Sequence, residues 1–500
     1  MGKLSAELKK NEQAVRELVK GCDDILVRPM RLGKQQGIDC FLVYIETAVS
    51  NMMLEDSVIG KMLNRLWEME EEDVAEAIEN NSLGVSDTKE LPTMEEAMAA
   101  MLAGNAVLFV DHFDKAIKIG SKGYPGTGVM KADSEKVLRG SKEAFSESEK
   151  VNTALIRKRV RDTTLKVKET PLGKHSNTMT AVVYMEGLAY QPILDNLEKK
   201  LDSFEIDGVL DGGVIEHLTA DLKYSPFPQY QTTERPDRAA MAVLEGRVAV
   251  ICDNSPEALL LPATLNTLFQ TSDDYYRHFA IVSFLRILRY LGAFLAVSLP
   301  GIYVAAVNFH PQLLPTNLLF SLAEARAGVP FPALVEVLLL ELSFELLREA
   351  GLRMPGPVGN TIGIVGGLII GQAAVSANIV SPVVVVVVAL TALGSFAVPN
   401  EEVSEALRLV KYMMLGLCAA FGILGLVFGW ILVLVHLAGL KSFGVSYLMP
   451  FAGGSVNPGG ESRDNILRAP LDKLYRRPLF ARRQNRTRMR KKGGWPDGGR

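Results

Sequence analysis

The sequence predicts an α/β N-terminal region, built as two related α/β lobes, followed by an all-α polytopic membrane domain. Three observations carry that expectation. A helix–strand pattern in the first half recurs at offsets of 140 and 142 residues, from Val43 to Val183 and from Leu102 to Leu244. Residues 354–400 contain no Asp, Glu, Lys or Arg, and neither do residues 412–440. Runs of that length exceed the ~20 apolar residues of a bilayer crossing, so a soluble globular chain is excluded. The chain of 500 residues is also too long for one ordinary domain; roughly 150 residues per domain gives about three.

Taken in order, residues 1–23 read as a polar helical lead-in. They lack the apolar core of a secretory signal, and Ala6 stands where a myristoylation motif needs Ser or Thr. Residues 39–46 read as a buried strand and 50–69 as an amphipathic helix. A helix over 94–103 and a strand over 105–111 follow. Val43-Tyr44-Ile45-Glu46 is echoed by Val183-Tyr184-Met185-Glu186. Leu102-x-Gly104 with Val107 and Asp111 is echoed by Leu244-x-Gly246 with Val250 and Asp253. Matched order at near-equal spacing predicts two copies of one unit, a first lobe over 24–145 and a second over 146–272. The membrane domain is expected over 273–450 and a basic cytoplasmic tail over 451–500.

Much chemistry is excluded. The cysteines at 22, 40, 252 and 418 lie far apart, and the six histidines are scattered, so neither a disulfide framework nor a metal site is expected. The spacing of a phosphate loop is absent, as is any nucleophile–base motif; no cofactor and no enzymatic activity are expected. Between the lobes, Arg139 and the cluster Arg157, Arg159 and Arg161 form a basic motif. Such a cluster could hold nucleic acid or anionic lipid. The simpler alternative is a solvated face, or ion pairs with the acidic segment 143–149, and no nucleic-acid partner is expected.

Five apolar helical candidates follow, over 290–309, 333–350, 359–380, 383–398 and 412–440. From Glu461 to Arg500 there are 13 Lys/Arg against 4 Asp/Glu, and 13 − 4 gives +9, a balance that keeps a tail cytoplasmic. With both ends inside, crossings must be even in number, which leaves four spans. The charged candidate 333–350 is the expected exception, because a charge at the bilayer centre costs ~2.5–3.5 kcal/mol on insertion scales. Gly359, Gly363, Gly367 and Gly371 form overlapping GxxxG steps beside Gln372; they either pack helices or line a narrow pore. Val386 lies in a run of six valines, which would gate by dewetting if it faced a pore and be inert against lipid. Glu341, Glu345 and Arg348 share one helix face. They form either a buried Glu345–Arg348 pair or an acidic ring attracting cations.

Several strings carry a family resemblance. They include Asp273-Asp274-Tyr275-Tyr276, Ser283-Phe284-Leu285-Arg286-Ile287-Leu288-Arg289 and Gly328-Val329-Pro330-Phe331-Pro332. Glu341-Leu342-Ser343-Phe344-Glu345, Gly371-Gln372-Ala373-Ala374, Asn152-Thr153-Ala154-Leu155-Ile156-Arg157 and Thr233-Glu234-Arg235-Pro236-Asp237 add to them. Over roughly 25–480 the chain resembles the GerA-type A-subunit family of spore germinant receptors. At Arg139-Gly140-Ser141-Lys142-Glu143-Ala144-Phe145 it departs from that family's usual Arg-Gly-Pro-Arg-Glu-Gly-Phe and looks more like the stage V sporulation AF paralogue; both subfamilies stay open. The resemblance implies a multi-pass protein of the spore inner membrane with both termini cytoplasmic. It implies a transporter-like B subunit that senses the nutrient and a lipoprotein C subunit as partners. It further implies self-association into a ring, set in membrane lipid, that passes monovalent cations as a nutrient-gated channel. A secondary transporter built on the Ser381-Pro382 break, and a scaffold or signalling subunit without its own pore, remain the alternatives.

Overall fold

The computed structural model describes residues 2–32, 37–48, 88–120, 123–124, 132, 135–137, 139–353, 367, 369–452, 464–477, 481, 485 and 487–489. The helix expected over 50–69, together with Gly359 and Gly363, lies outside the described residues.

The first lobe comprises α1 (Leu8–Leu18), β1 (Ile25–Leu32), β2 (Ile38–Ile45), β3 (Thr88–Leu91), α2 (Met94–Leu102), β4 (Ala106–Val110) and β5 (Ala116–Ile119). The second comprises α3 (Glu149–Arg157), β6 (Leu165–Leu172), β7 (Thr178–Met185), α4 (Gln191–Leu201), α5 (Gly212–Thr219), β8 (Gln231–Thr233), α6 (Pro236–Leu244), β9 (Val248–Cys252) and β10 (Ala258–Leu261). Each folds into a five-stranded antiparallel sheet, ordered β1-β2-β4-β5-β3 in one and β6-β7-β9-β10-β8 in the other. The repeat therefore extends to topology, and it holds in register too. Phe41 pairs with Phe109 across β2 and β4, and Ala181 with Ile251 across β7 and β9, at the same offsets as the sequence echo. Every residue of β4 and of β9 is buried, because apolar clusters cover both faces of each central strand. Gly104 and Gly246 end their helices at φ +89° and +92°, backbone that a side chain would strain.

The unit begins earlier than the echo alone suggests. Leu8 and Val15 of α1 join the first lobe's core, so residues read as a lead-in complete that lobe. Both units share one clasp before the first helix. Asn11 accepts from the Ser5 amide (3.0 Å) and donates to the Ser5 carbonyl (2.6 Å); Asn152 does the same with Ser146 at 2.8 and 2.6 Å.

The C-terminal half is helical: α7 (Phe279–Asn308), α8 (Thr316–Arg326), α9 (Ala333–Arg353), α10 (Pro382–Phe396), α11 (Glu401–Phe421) and α12 (Ile423–Gly439). Among the described residues, α7 is the helix long and apolar enough to cross a membrane, and α10 and α12 are shorter apolar helices. The candidate over 412–440 is not one span, and this corrects the expectation. The chain reverses at Gly422 (φ +62°), and α12 lies back against α11. As one helix those residues would run ~43 Å, longer than the ~30 Å hydrocarbon core. The close return depends on missing side chains: a Cβ at Gly425 would sit 2.0 Å from the Leu417 carbonyl oxygen.

Candidate functional site

Two charge arrangements stand out, one within the helical half and one at the root of α7. The first lies between α9 and α11, which run antiparallel. Lys411 Nζ stands 2.5 Å from Glu341 Oε2 and 3.7 Å from Glu345 Oε1. Arg408 reaches Glu345 at 3.1 Å and Glu405 at 3.0 Å, and Arg348 reaches Glu401 at 3.4 Å. Glu341 and Lys411 are 1% and 5% exposed, so the pair is withdrawn from water. Glu341 Oε1 has no hydrogen-bond partner among the described residues. The intrahelical pair Glu345–Arg348 does not form; each of those side chains finds its partner on α11 instead. That pairing answers the cost that made 333–350 the exceptional candidate, since a buried charge is tolerated when paired. At the far end, buried Glu336 takes Arg326 at 3.1 Å and the Ser381 amide at 2.9 Å, which caps the start of α10.

Below the ladder opens a cleft of about 650 Å³ between the second lobe and the ends of α9, α10 and α11. Six glutamates line it, Glu135, Glu234, Glu257, Glu401, Glu402 and Glu405, against Arg348. A neighbouring cavity of about 470 Å³ shares Thr232, Glu257, Glu402 and Glu405 and adds Asp211 and Glu216. Burial, then the Glu257 charge, pushes Glu216 up to about 7. Burial, then Glu234, raises Glu257 as well. Crowding and burial thus favour the neutral form of these acids, and each one that does ionise adds a negative charge that draws cations to the cleft.

The second arrangement roots α7. Asp274, 1% exposed, accepts from Arg286 Nε (2.9 Å) and from Arg289 Nη1 and Nη2 (2.8 and 2.9 Å). Asp464, from the tail, accepts from Arg286 Nη1 at 2.8 Å and from the Tyr275 hydroxyl at 3.0 Å. Burial works to raise the Asp274 pKa, but Arg289 and Arg286 outweigh it and hold the carboxyl below its usual range.

The remaining candidates are dispersed. Gly367 faces Leu347 of α9 and Gly371 faces Val385 of α10, where a Cβ would make ordinary van der Waals contact at 4.0 and 3.7 Å, so neither position requires a glycine for packing. Gln372 is exposed, and Val386 is 58% exposed on the outer face of α10. Arg157 is fully buried, where it grips Asp24 of the first lobe and donates to the Leu165 carbonyl at 3.0 Å. Burial opposes its charge, but the Asp24 carboxylate prevails and holds the guanidinium above its usual pKa. Arg159 pairs with Glu143 at 2.5 Å and Ser141 at 3.0 Å, while Arg139 and Arg161 are exposed. The basic string is thus an interlobe latch and a local ion pair more than an open binding face. Sequence reasoning passed over Asp24, Arg408, Lys411 and Asp464. Their ion-pair partners Arg157, Glu345, Glu341 and Arg286 lie 63 to 178 residues away, beyond any local spacing rule.

Tandem α/β lobes followed by a helical region with apolar helices define the architecture of this chain. Residues 13–480 match the Bacillus/Clostridium GerA spore germination protein family. The chain is 40% identical over 475 residues to the uncharacterized membrane protein YfkQ of Bacillus subtilis, covering 95% of this chain and 91% of that protein. It is 35% identical over 488 residues to spore germination protein KA of Bacillus subtilis, covering 98% and 89%. It is also 35% identical over 496 residues to spore germination protein B1 of the same organism, covering 97% and 100%. A crystal structure of the N-terminal domain of the A subunit of the Bacillus megaterium spore germinant receptor GerK3 aligns with 53% of this chain and 98% of that one, at TM-score 0.41 and 24% identity. The chain belongs to the GerA family of spore germination proteins, of the germinant-receptor A-subunit type.

Proposed function

We propose that this A subunit conducts monovalent cations when the receptor is triggered, as one member of a ring of copies in the spore inner membrane. The carrying observation is a ladder of ion pairs that starts at the six-glutamate cleft, where Arg348, Glu401 and Glu405 lie, and runs through Arg408–Glu345 to the buried Glu341–Lys411 pair. The cleft gathers cations on the lobe side, and the Lys411 ammonium held against Glu341 blocks onward passage. Displacing Lys411 from Glu341 leaves an acidic site on the same path. The outward-facing Val386 and Gln372 then belong to contacts with lipid or with neighbouring copies. B and C subunits complete this reading as the sensing and lipoprotein partners.

Orientation follows the same logic. The tail packs beside the second lobe: Asn485 donates to the Gly187 carbonyl at 3.0 Å and Arg477 to the Leu244 carbonyl at 2.9 Å. Lobes and tail therefore lie together, on the side we take to be cytoplasmic. With α9 paired to α11 at Glu341, Glu345 and Arg348, we take α9 as a crossing helix; much of the candidate over 359–380 lies outside the described residues. Glu336 at the broken helix is engaged by Arg326 and the Ser381 amide. The buried hydroxyls of Ser381 and Tyr303, however, have no hydrogen-bond partner among the described residues, so this break is where a secondary transporter would hold its solute.

Reconstituted Lys411→Met should raise basal potassium leak from proteoliposomes at least tenfold, and Glu341→Gln/Lys411→Met should return it toward the parent value. Unchanged leak in Lys411→Met at parental folding and insertion would sink the gate. Saturable, solute-specific uptake would favour the transporter, and no conductance with intact signalling would favour a scaffold.

A further inference from the structure

The segment between α5 and β8 carries an unusual surface. Its shape is fixed from inside. Gln229 Oε1 accepts from the amides of Asp221 (2.6 Å) and Leu222 (3.1 Å), and Gln229 Nε2 donates to the Leu222 carbonyl (2.8 Å). The Ser225 amide closes the turn on Leu222 at 3.2 Å, and Lys200 holds Asp221 at 2.5 Å. Phe227, 3% exposed, seats against the rings of His436 and Tyr447 at 5.9 and 6.3 Å. Ser225 Oγ lies 2.8 Å from His436 Nε2. A loop this well anchored nevertheless shows water an apolar tip: Leu222 is 43% exposed and Tyr224 98%, with exposed Lys223 between them.

Position supplies the explanation. His436 lies in the last turn of α12, whose neighbouring residues Leu432 and Val435 are 55% and 66% exposed. The loop also reaches along α11, sharing one cavity with Ala406 and Leu409. Its tip thus stands beside the level at which the apolar face of α12 ends. Tyrosine and lysine concentrate at that level in membrane proteins, where an apolar body meets hydrocarbon and a polar end meets headgroups and water.

We propose that the Leu222-Lys223-Tyr224 tip is a lipid-contacting anchor, seated among the phospholipid headgroups of the leaflet that α12 enters. Lys223 meets lipid phosphate, Tyr224 and Leu222 lie against the upper acyl chains, and the second lobe is thereby held at a fixed height over the bilayer. This rests on the reading of α12 as a membrane helix, and the test separates the two.

The experiment uses the full chain in nanodiscs of phosphatidylcholine and phosphatidylglycerol, with a nitroxide on Tyr224→Cys, Val435→Cys or, in the exposed part of α1, Lys9→Cys; the four native cysteines are buried. Collision with oxygen against collision with a water-soluble nickel chelate reports depth. Labels at 224 and 435 should favour oxygen, and the label at 9 should favour nickel. Oxygen preference at 435 with nickel preference at 224 overturns the anchor and leaves the membrane helix standing. Nickel preference at all three overturns both. A label at 224 shielded from both reagents means a neighbouring protein covers the tip, which also overturns the anchor. Tyr224→Trp gives an independent reading: shallow-brominated lipid should quench it at least twofold more than deep-brominated lipid, and equal, weak quenching contradicts the proposal.

Discussion

The two lobes share a topology, a helix-opening clasp and a glycine turn, yet they meet their surroundings differently. Position by position, Leu8 of the first corresponds to Glu149 of the second. The amides of both donate to an equivalent aspartate, Asp111 and Asp253, at 3.0 Å. Arg16 corresponds to Arg157: the former makes an exposed pair with Glu12, whereas the latter is buried on Asp24. A Cβ at Gly104 would meet the Tyr124 ring at 2.7 Å, but one at Gly246 would meet the Ala481 backbone at 2.8 Å. One scaffold has kept its frame and specialised its outer positions. The second copy is the hub, holding the first lobe, the tail and the helical region.

The sharpest way to break that comparison is at the arginines. Arg157→Leu leaves the Asp24 carboxylate buried and alone and should cost about 3–5 kcal/mol, whereas Arg16→Leu should cost at most about 0.5 kcal/mol. Hydrogen exchange of β1 and β6 amides in the full chain checks both. Equal losses would mean that Arg157 is no latch. Next come the glycines. Alanine at either should cost about 1–2 kcal/mol for the left-handed backbone, but Gly246→Ala should also release the tail, because backbone cannot swing aside as the Tyr124 ring can. Limited proteolysis after residue 463 should accelerate in Gly246→Ala and not in Gly104→Ala.

The smallest effect is a pH slope. Burial, then the Glu169 charge, pushes Glu149 from 4.5 up to about 8. Between those values the unfolded chain has lost the proton that the folded chain keeps, so stability falls as pH rises from about 4.5 to about 8 and then levels. Glu149→Leu, which installs the first lobe's residue, should flatten that slope in melting temperatures taken from pH 5 to 9. An unchanged slope would place the titration elsewhere.

The repeat was legible in the sequence because it resides in strands. Contiguous apolar residues at 43–45 and 183–185, and a glycine two residues after a leucine, survive as local strings. The opening helix was harder to assign, since α1 buries Leu8, Asn11 and Val15 within an otherwise charged string. Ion-pair partners were illegible for another reason. Glu341 and Lys411 are 70 residues apart, and only the antiparallel packing of α9 on α11 selects that pairing from many others. The hairpin at Gly422 hid inside an uninterrupted apolar run. Gly425 and Gly429 mark it, the latter facing Met414 Sδ at 2.3 Å from a hypothetical Cβ, but a run of apolar composition carries no polar punctuation at the bend.

Asp464 gives the order of synthesis a physical meaning. Arg286 is made 178 residues before its second carboxylate, so the root of α7 lacks that partner until residue 464 has left the ribosome. Chains grow from the N-terminus and domains close as units, which makes this junction among the last to be sealed. A product that stops short of residue 464 would carry both lobes and the helices, yet would leave that arginine short of its neutralising charge at the joint between them.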